Sequence, residues 1–377
     1  MGDKITKSVP LLQNHSKIDK NHSMWRRINP NFATFMDMQQ NKQNKAIIIW
    51  LFTGVFMIIV QVLLGGITRL TGSGLSITEW KPILGALPPM NEEAWQAAFA
   101  KYQEIGQAKY INSHFTLSDF KGIYFWEWLH RNWGRLIGVV FFIPFIYFII
   151  KKKIDKSMIV PMIILFLLGG LQGAIGWIMV QSGLNDEDLY VSHIRLAIHF
   201  IAALSLLWYT LWFALKLSIP QKNLVSAPSL RKLSGWILGL LTLQLIYGAF
   251  MAGLHAALSA STWPTINGMW WPMGIFTQGG FLEDITHNPI TIQFIHRALA
   301  YLLTILIAVW YFRARPFSQL DAVRAIALLV VLVQVLLGVL TVLNSQVKIP
   351  LSFALAHQFT GMALLMVLVW ARFVTKK

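Results

Sequence analysis

Apolar residues in this chain fall into eight long runs separated by polar stretches, at approximately 46–66, 126–150, 158–180, 192–216, 233–254, 289–312, 321–343 and 351–373. Each is close to the roughly 20 residues that a helix needs to cross a bilayer. The pattern predicts an all-α integral membrane protein of eight transmembrane helices. Residues 1–45 are polar, rich in Lys and Asn, and lack helical periodicity. They contain no short apolar core with a small-residue cleavage site, and their acids and few arginines do not suit a transit peptide, so they read as a cytoplasmic tail. Two outer loops stand out. In 69–124, Asn91-Glu92-Glu93 offers an N-cap and first-turn acids for a surface helix over Asn91 to Gln107. The loop 255–288 is rich in Trp and Pro (Trp263-Pro264, Trp270-Trp271-Pro272), and Trp favours the membrane interface. These loops either seal the outer face or cover a pocket that opens there.

Charge orients the bundle. The tail, the loops Lys151 to Lys156, Lys216 to Lys232 and Arg313 to Arg324, and the C-terminus together hold 22 of the 32 Lys and Arg, against five acids. Both termini are therefore expected in the cytoplasm. Composition agrees with a membrane protein: 55% hydrophobic, 13% charged, with a mean hydropathy of +0.55. The sequence pI of about 10.0 would suggest nucleic acid, but the basic residues lie where the positive-inside rule puts them. With no cysteine, disulfides, thiolate metal sites and covalently attached c-type haem are excluded. Histidine and carboxylate remain.

The spans repeat. Runs one, three, five and seven carry Gln and Gly four residues apart: Gln61 and Gly65, Gln172 and Gly176, Gln244 and Gly248, Gln334 and Gly338. Runs two and six open on His130-Arg131 and His296-Arg297, and runs four and eight carry His199 and His357. Two four-helix halves, 46–217 and 218–377, thus follow in tandem as a parallel repeat about an axis along the membrane normal. The glycines would permit close helix approach, and the glutamines would hydrogen-bond across it.

Four of the ten histidines lie within the spans, two per half, all within roughly 15 Å of the outer surface at 1.5 Å per residue. Facing helices presenting inward His are how a bundle builds a cofactor site. Paired imidazoles suit the two axial positions of a haem iron, so one site is expected from His130 with His199 and one from His296 with His357. Zinc is the alternative, but it favours three or four ligands at one point. Arg131 and Arg297 could meet haem propionates or snorkel to headgroups. His193, at the outer end of run four, competes with His199 as ligand, and His255 has no evident role. One position breaks the repeat: Glu127, one turn before His130, is matched by Gln293. A carboxylate can exchange protons or stabilise positive charge, and an amide cannot. The first half is thus expected to be reactive and the second inert, an electron relay. Glu127 could instead be an interfacial acid paired with Arg131.

These residues, together with Gly65-Gly66-Ile67-Thr68-Arg69-Leu70-Thr71-Gly72-Ser73-Gly74-Leu75-Ser76, Thr78-Glu79-Trp80-Lys81-Pro82, Gly85-Ala86-Leu87-Pro88-Pro89, Gly134-Arg135, Arg195-Leu196-Ala197 and Thr262-Trp263-Pro264, make the chain resemble the haem A synthase family over nearly everything after residue 45. The resemblance implies oxidation of the C8 methyl of haem O to a formyl group by successive hydroxylation, in the bacterial inner membrane. It implies that His130 and His199 hold the substrate haem O, that Glu127 is essential, and that His296 and His357 hold a haem b cofactor. Haem O synthase and cytochrome oxidase assembly factors become candidate partners, and a homo-oligomer is possible. Some members carry a cysteine pair in an outer loop; this chain resembles the cysteine-free branch. The sequence also admits a di-haem b cytochrome exchanging electrons with quinol. A transporter would require matched broken spans, which it lacks.

Overall fold

A computed structural model describes residues 30–82, 84–277 and 279–376. Its helices are α1 (Pro30–Leu70), α2 (Glu92–Gln103), α3 (Gly106–Tyr110), α4 (Leu117–Ile150), α5 (Lys156–Gln181), α6 (His193–Ser218), α7 (Pro228–Gly253), α8 (Phe281–His287), α9 (Pro289–Arg313), α10 (Asp321–Leu343) and α11 (Leu351–Val374). Among the described residues eight helices are long and apolar enough to span a bilayer, and they match the eight expected runs: α1 from Lys45, α4, α5, α6, α7, α9, α10 and α11. The eight-span all-α membrane fold follows.

Several boundaries move, each for a local reason. Residues 1–29 of the expected tail lie outside the described residues. The remainder is not irregular, since Pro30 to Ile49, within the compact unit ending there, is helical throughout. At its other end α1 continues past residue 66 to Leu70 and stops where Gly72 turns left-handed, at φ 67°. Helix α4 begins at Leu117, inside the expected loop. Its start is a capping box: Asp119 N–H donates to Thr116 Oγ1, and Thr116 N–H donates to the Asp119 carboxylate. The first two turns are polar on one side, so hydropathy alone missed them. Phe120 packs there against Trp95, Phe99 and Tyr102, with ring centroids 5.1–6.3 Å apart, tying α4 to α2. The expected surface helix is present as α2, with Asn91 Oδ1 accepting from Ala94 N–H at 2.8 Å. Helix α7 starts at Pro228, whose missing N–H is no loss in a first turn.

One apolar core crosses the 217/218 boundary between the repeats. It joins Val55 and Val62 of α1, Leu207 of α6, Ile237 and Leu241 of α7, Leu303 and Ile307 of α9, Val331 of α10 and Leu365 of α11. Helices α4 and α5 stand outside it and expose Phe142, Ile143, Leu167 and Leu171, as lipid-facing spans do. The first helix of each half packs on the last helix of the other. Gln358 of α11 lies over Gly66 of α1 and donates to Val62 O at 2.9 Å, while His193 of α6 lies over Gly253 of α7. Strands β1 (Val225–Ser226) and β2 (Thr375–Lys376) pair in parallel, joining the start of α7 to the end of α11.

Candidate cofactor sites

Each span histidine lies in a cradle built by the repeat motif. A β-carbon on Gly65 would stand 3.3 Å from His130 Nε2 and one on Gly248 3.4 Å from His296 Cε1. On Gly176 and Gly338 it would come within 2.8 and 2.9 Å of the His199 and His357 Cε1 atoms. The glycines are therefore ring-sized notches. The glutamine one turn earlier then grips the ring or its backbone. Gln172 Nε2 donates to His199 O at 2.8 Å and lies 3.1 Å from its Nδ1. Gln244 and Gln334 lie 3.3 and 3.4 Å from Nε2 of His296 and His357. Gln61 fits over Gly134, four residues after His130, as Gln334 fits over Gly361, four residues after His357. Ring and amide thus interlock: each His enters a notch four residues after a Gln, and in these two pairs the Gln enters one four residues after the His.

The second-half rings, on α9 and α11, have centroids 6.4 Å apart. Two imidazoles on one metal, at about 2 Å per bond, put their ring centres roughly 6 Å apart. His357 Nδ1 lies 3.0 Å from the Gln334 backbone carbonyl, a contact that places the proton there and makes Nε2, which faces the Gln334 side-chain amide, the unprotonated ring nitrogen. His296 Nδ1 is buried without a partner among the described residues, as are Gln61 Oε1 and Gln244 Oε1 at equivalent repeat positions. Paired imidazoles with unsatisfied buried polar atoms beside them suit a bis-imidazole haem. Among the described residues no three His, Asp or Glu side chains converge as a metal-ion cage, so the donor set does not match zinc.

His199, not His193, occupies the α6 cradle. His193 is buried against the second half, with Nε2 2.8 Å from Thr286 O and its ring on Phe250 and His287. His130 and His199, on α4 and α6, are within electrostatic reach of each other.

Glu127 is 2% exposed and fully engaged. Its Oε2 accepts from Ser76 Oγ at 2.7 Å and Ile77 N–H at 2.8 Å, and its Oε1 accepts from Arg131 Nη2 at 2.6 Å and Nε at 3.0 Å. Arg131 also donates to Ile77 O and Glu79 O, Arg135 to Lys81 O and Pro82 O, and Trp128 and Asn132 to Ala86 O. The Glu127–Arg135 stretch of α4 thus binds residues 76–82 and Ala86 across it as a lid. Glu79 completes it from above, its carboxyl held below the usual range by hydrogen bonds from Lys101 and Lys81. The second half repeats the device: Gln293 donates to Ala256 O and Ala260 O and accepts from Arg297, which also donates to Thr262 O and Thr265 O. Both arginines, expected at propionates or headgroups, are turned onto loop carbonyls. The pairing of Glu127 with Arg131 is one of the two expectations for that acid; the loop carbonyls as arginine partners carry no sequence signature.

The model of the family described as "Cytochrome oxidase assembly protein" matches residues 48–369. The chain is 41% identical over 332 residues to the Heme A synthase of Flavobacterium johnsoniae, covering 86% of this chain and 96% of that protein. It is 40% identical over 325 residues to that of Parvibaculum lavamentivorans, covering 86% and 93%, and 43% identical over 330 residues to that of Rhodospirillum centenum, covering 86% and 87%. A match spanning all eight membrane helices and both histidine cradles makes this chain a member of the cytochrome oxidase assembly protein family.

Proposed function

We propose that this membrane protein is a haem A synthase, an oxidoreductase that converts the C8 methyl of haem O to the formyl group of haem A. The observation that carries this reading is the doubled cradle, two imidazoles per half, in a chain about 40% identical to enzymes of that name. His130 and His199 hold the substrate haem O, and His296 and His357 hold a haem b that is not consumed. Bound haem supplies the redox chemistry. The protein's part is to orient the porphyrin through the Gln-gripped rings and to exclude water with the two lids. Glu127 places a carboxylate at the mouth of the first site, where it takes a proton or balances positive charge developing at the methyl. Both sites lie toward the outer, periplasmic face of a bacterial inner membrane, with the termini in the cytoplasm. Haem O synthase and oxidase assembly factors are the natural partners, and self-association is compatible with the lipid-facing α4 and α5.

Extraction of pigment from the purified protein tests this against a di-haem b electron carrier. Haem O or haem A beside haem b is expected; haem b alone, with no haem A formed on supplying haem O, overturns it.

A further inference from the structure

Arg69 ends α1 one turn beyond Gly65, and Ala252 holds the same repeat position in α7, one turn beyond Gly248. The Arg69 guanidinium donates through Nη2 to the Ala252 carbonyl, so the two repeat-related positions meet at the seam between the halves. Its Nε is buried and donates to nothing among the described residues. Among the described residues the ionisable side chain that acts on it is Tyr190, not a carboxylate. A buried charge without a counter-charge is strongly unfavourable. The molecule thus keeps here a cation whose partner its described residues do not supply.

Gly72 and His255 are related in the same way, and both follow their helices in the left-handed conformation, at φ 67° and 51°. Glycine adopts it freely, whereas a residue with a β-carbon is strained there. The second half therefore retains an imidazole where the first half uses the easier residue. That ring lies against Tyr190 with centroids 4.5 Å apart and feels the charge of Arg69. Burial, with Arg69 second, holds its pKa down to about 4, so His255 is a neutral hydrogen-bonding group that adds no second positive charge beside the guanidinium.

We propose that Arg69 and His255 form a carboxylate-receiving site on the seam between the two haem cradles, and that the carboxylate is a haem propionate. The assignment rests on the haem reading above. It gives His255 a role and replaces Arg131 and Arg297, whose guanidinia are committed to the lids. Because Arg69 stands one turn outside Gly65 and His255 follows the turn outside Gly248, the propionate can come from either haem.

The test titrates the full-length chain, isolated without haem, with haem b and with its dimethyl ester, in which both propionates are masked. Binding is read from the Soret and α bands, and folding from helical circular dichroism. Arg69→Gln is expected to weaken haem binding about 10- to 100-fold, the worth of a charge-assisted hydrogen bond, and to bind haem and ester alike. Arg69→Lys should keep part of the preference for the free acid. His255→Gly, which suits the backbone, should lose a few-fold in affinity without loss of helix. In a His130→Ala background a persisting Arg69 effect assigns the propionate to the second haem; in a His296→Ala background, to the first. Equal affinity of the wild type for haem and ester, or an undiminished preference in Arg69→Gln, overturns the proposal. No haem uptake by the wild type would instead overturn the haem reading beneath it.

Discussion

Ser76 donates its hydroxyl to Glu127 at 2.7 Å, inside the first lid, and the neighbouring Ile77 N–H donates to the same oxygen. The repeat-related Gln293 meets the carbonyls of Ala256 and Ala260 instead. One loop turns donors toward its span and the other turns acceptors, so a carboxylate satisfies the first and an amide the second. The Glu–Gln difference between the halves is therefore built into loop polarity as well as into the chemistry proposed for Glu127.

That double role separates in a Glu127→Gln variant. The amide would set N–H groups against the Ser76 and Ile77 donors or the Arg131 guanidinium, so stability should fall by about 1–3 kcal/mol. Haem A formation per folded molecule should be abolished while haem O remains bound. If activity merely follows the folded fraction, measured by denaturant titration in detergent, Glu127 is a lid clamp and not a reactive group.

The glycine notches make a graded prediction. Gly176→Ala and Gly338→Ala bring a methyl within 2.8 and 2.9 Å of an imidazole carbon and must displace the ring, whereas Gly65→Ala and Gly248→Ala ask for a few tenths of an ångström. The first pair should each lose one haem of two, with the α-band spectrum showing which. The second pair should keep both with shifted bands. Equal haem content in all four would refute the cradle.

His199→Ala should remove one haem and leave helicity unchanged. His193→Ala should keep both haems and lose stability, since His193 closes the contact with Thr286 and Phe250. The reverse result would hand the ligand role to His193.

His255 makes stability pH-dependent. Its folded pKa of about 4 lies below the ordinary 6.5, so between these values the unfolded chain binds more protons and stability rises with pH. The contribution is present above about pH 6.5 and is lost as pH falls toward 4. His255→Gly should flatten the melting-temperature profile across that window relative to wild type. An unchanged slope would contradict the burial of the ring.

The cysteine-free chain suits topology mapping. Lys151→Cys should react with an impermeant maleimide only from the cytoplasmic side and Ser113→Cys only from the outer side. The opposite labelling would invert the bundle.

Much of this protein is legible along the chain. Eight apolar runs suffice to give eight spans, because a backbone in lipid must satisfy its own hydrogen bonds and a helix does so within one segment. The Gln–Gly and His–Arg spacings expose the duplication, since one-turn spacing keeps two residues on one face. Where the polar starts of α1 and α4 escape, the reason is that hydropathy records burial in lipid and not capping: Thr116 and Asp119 begin a helix well before the apolar run does.

What only the tertiary structure decided is which groups meet. That Gly65 is a notch for His130, that Arg131 faces carbonyls and not solvent, that His193 turns toward Thr286, and that Arg69 reaches Ala252 all depend on how separate helices cross. Residue types along one strand of chain fix the local conformation and the side a group is on. Partners lie up to 296 positions away in sequence, as Gln358 and Val62 do, so only packing names them.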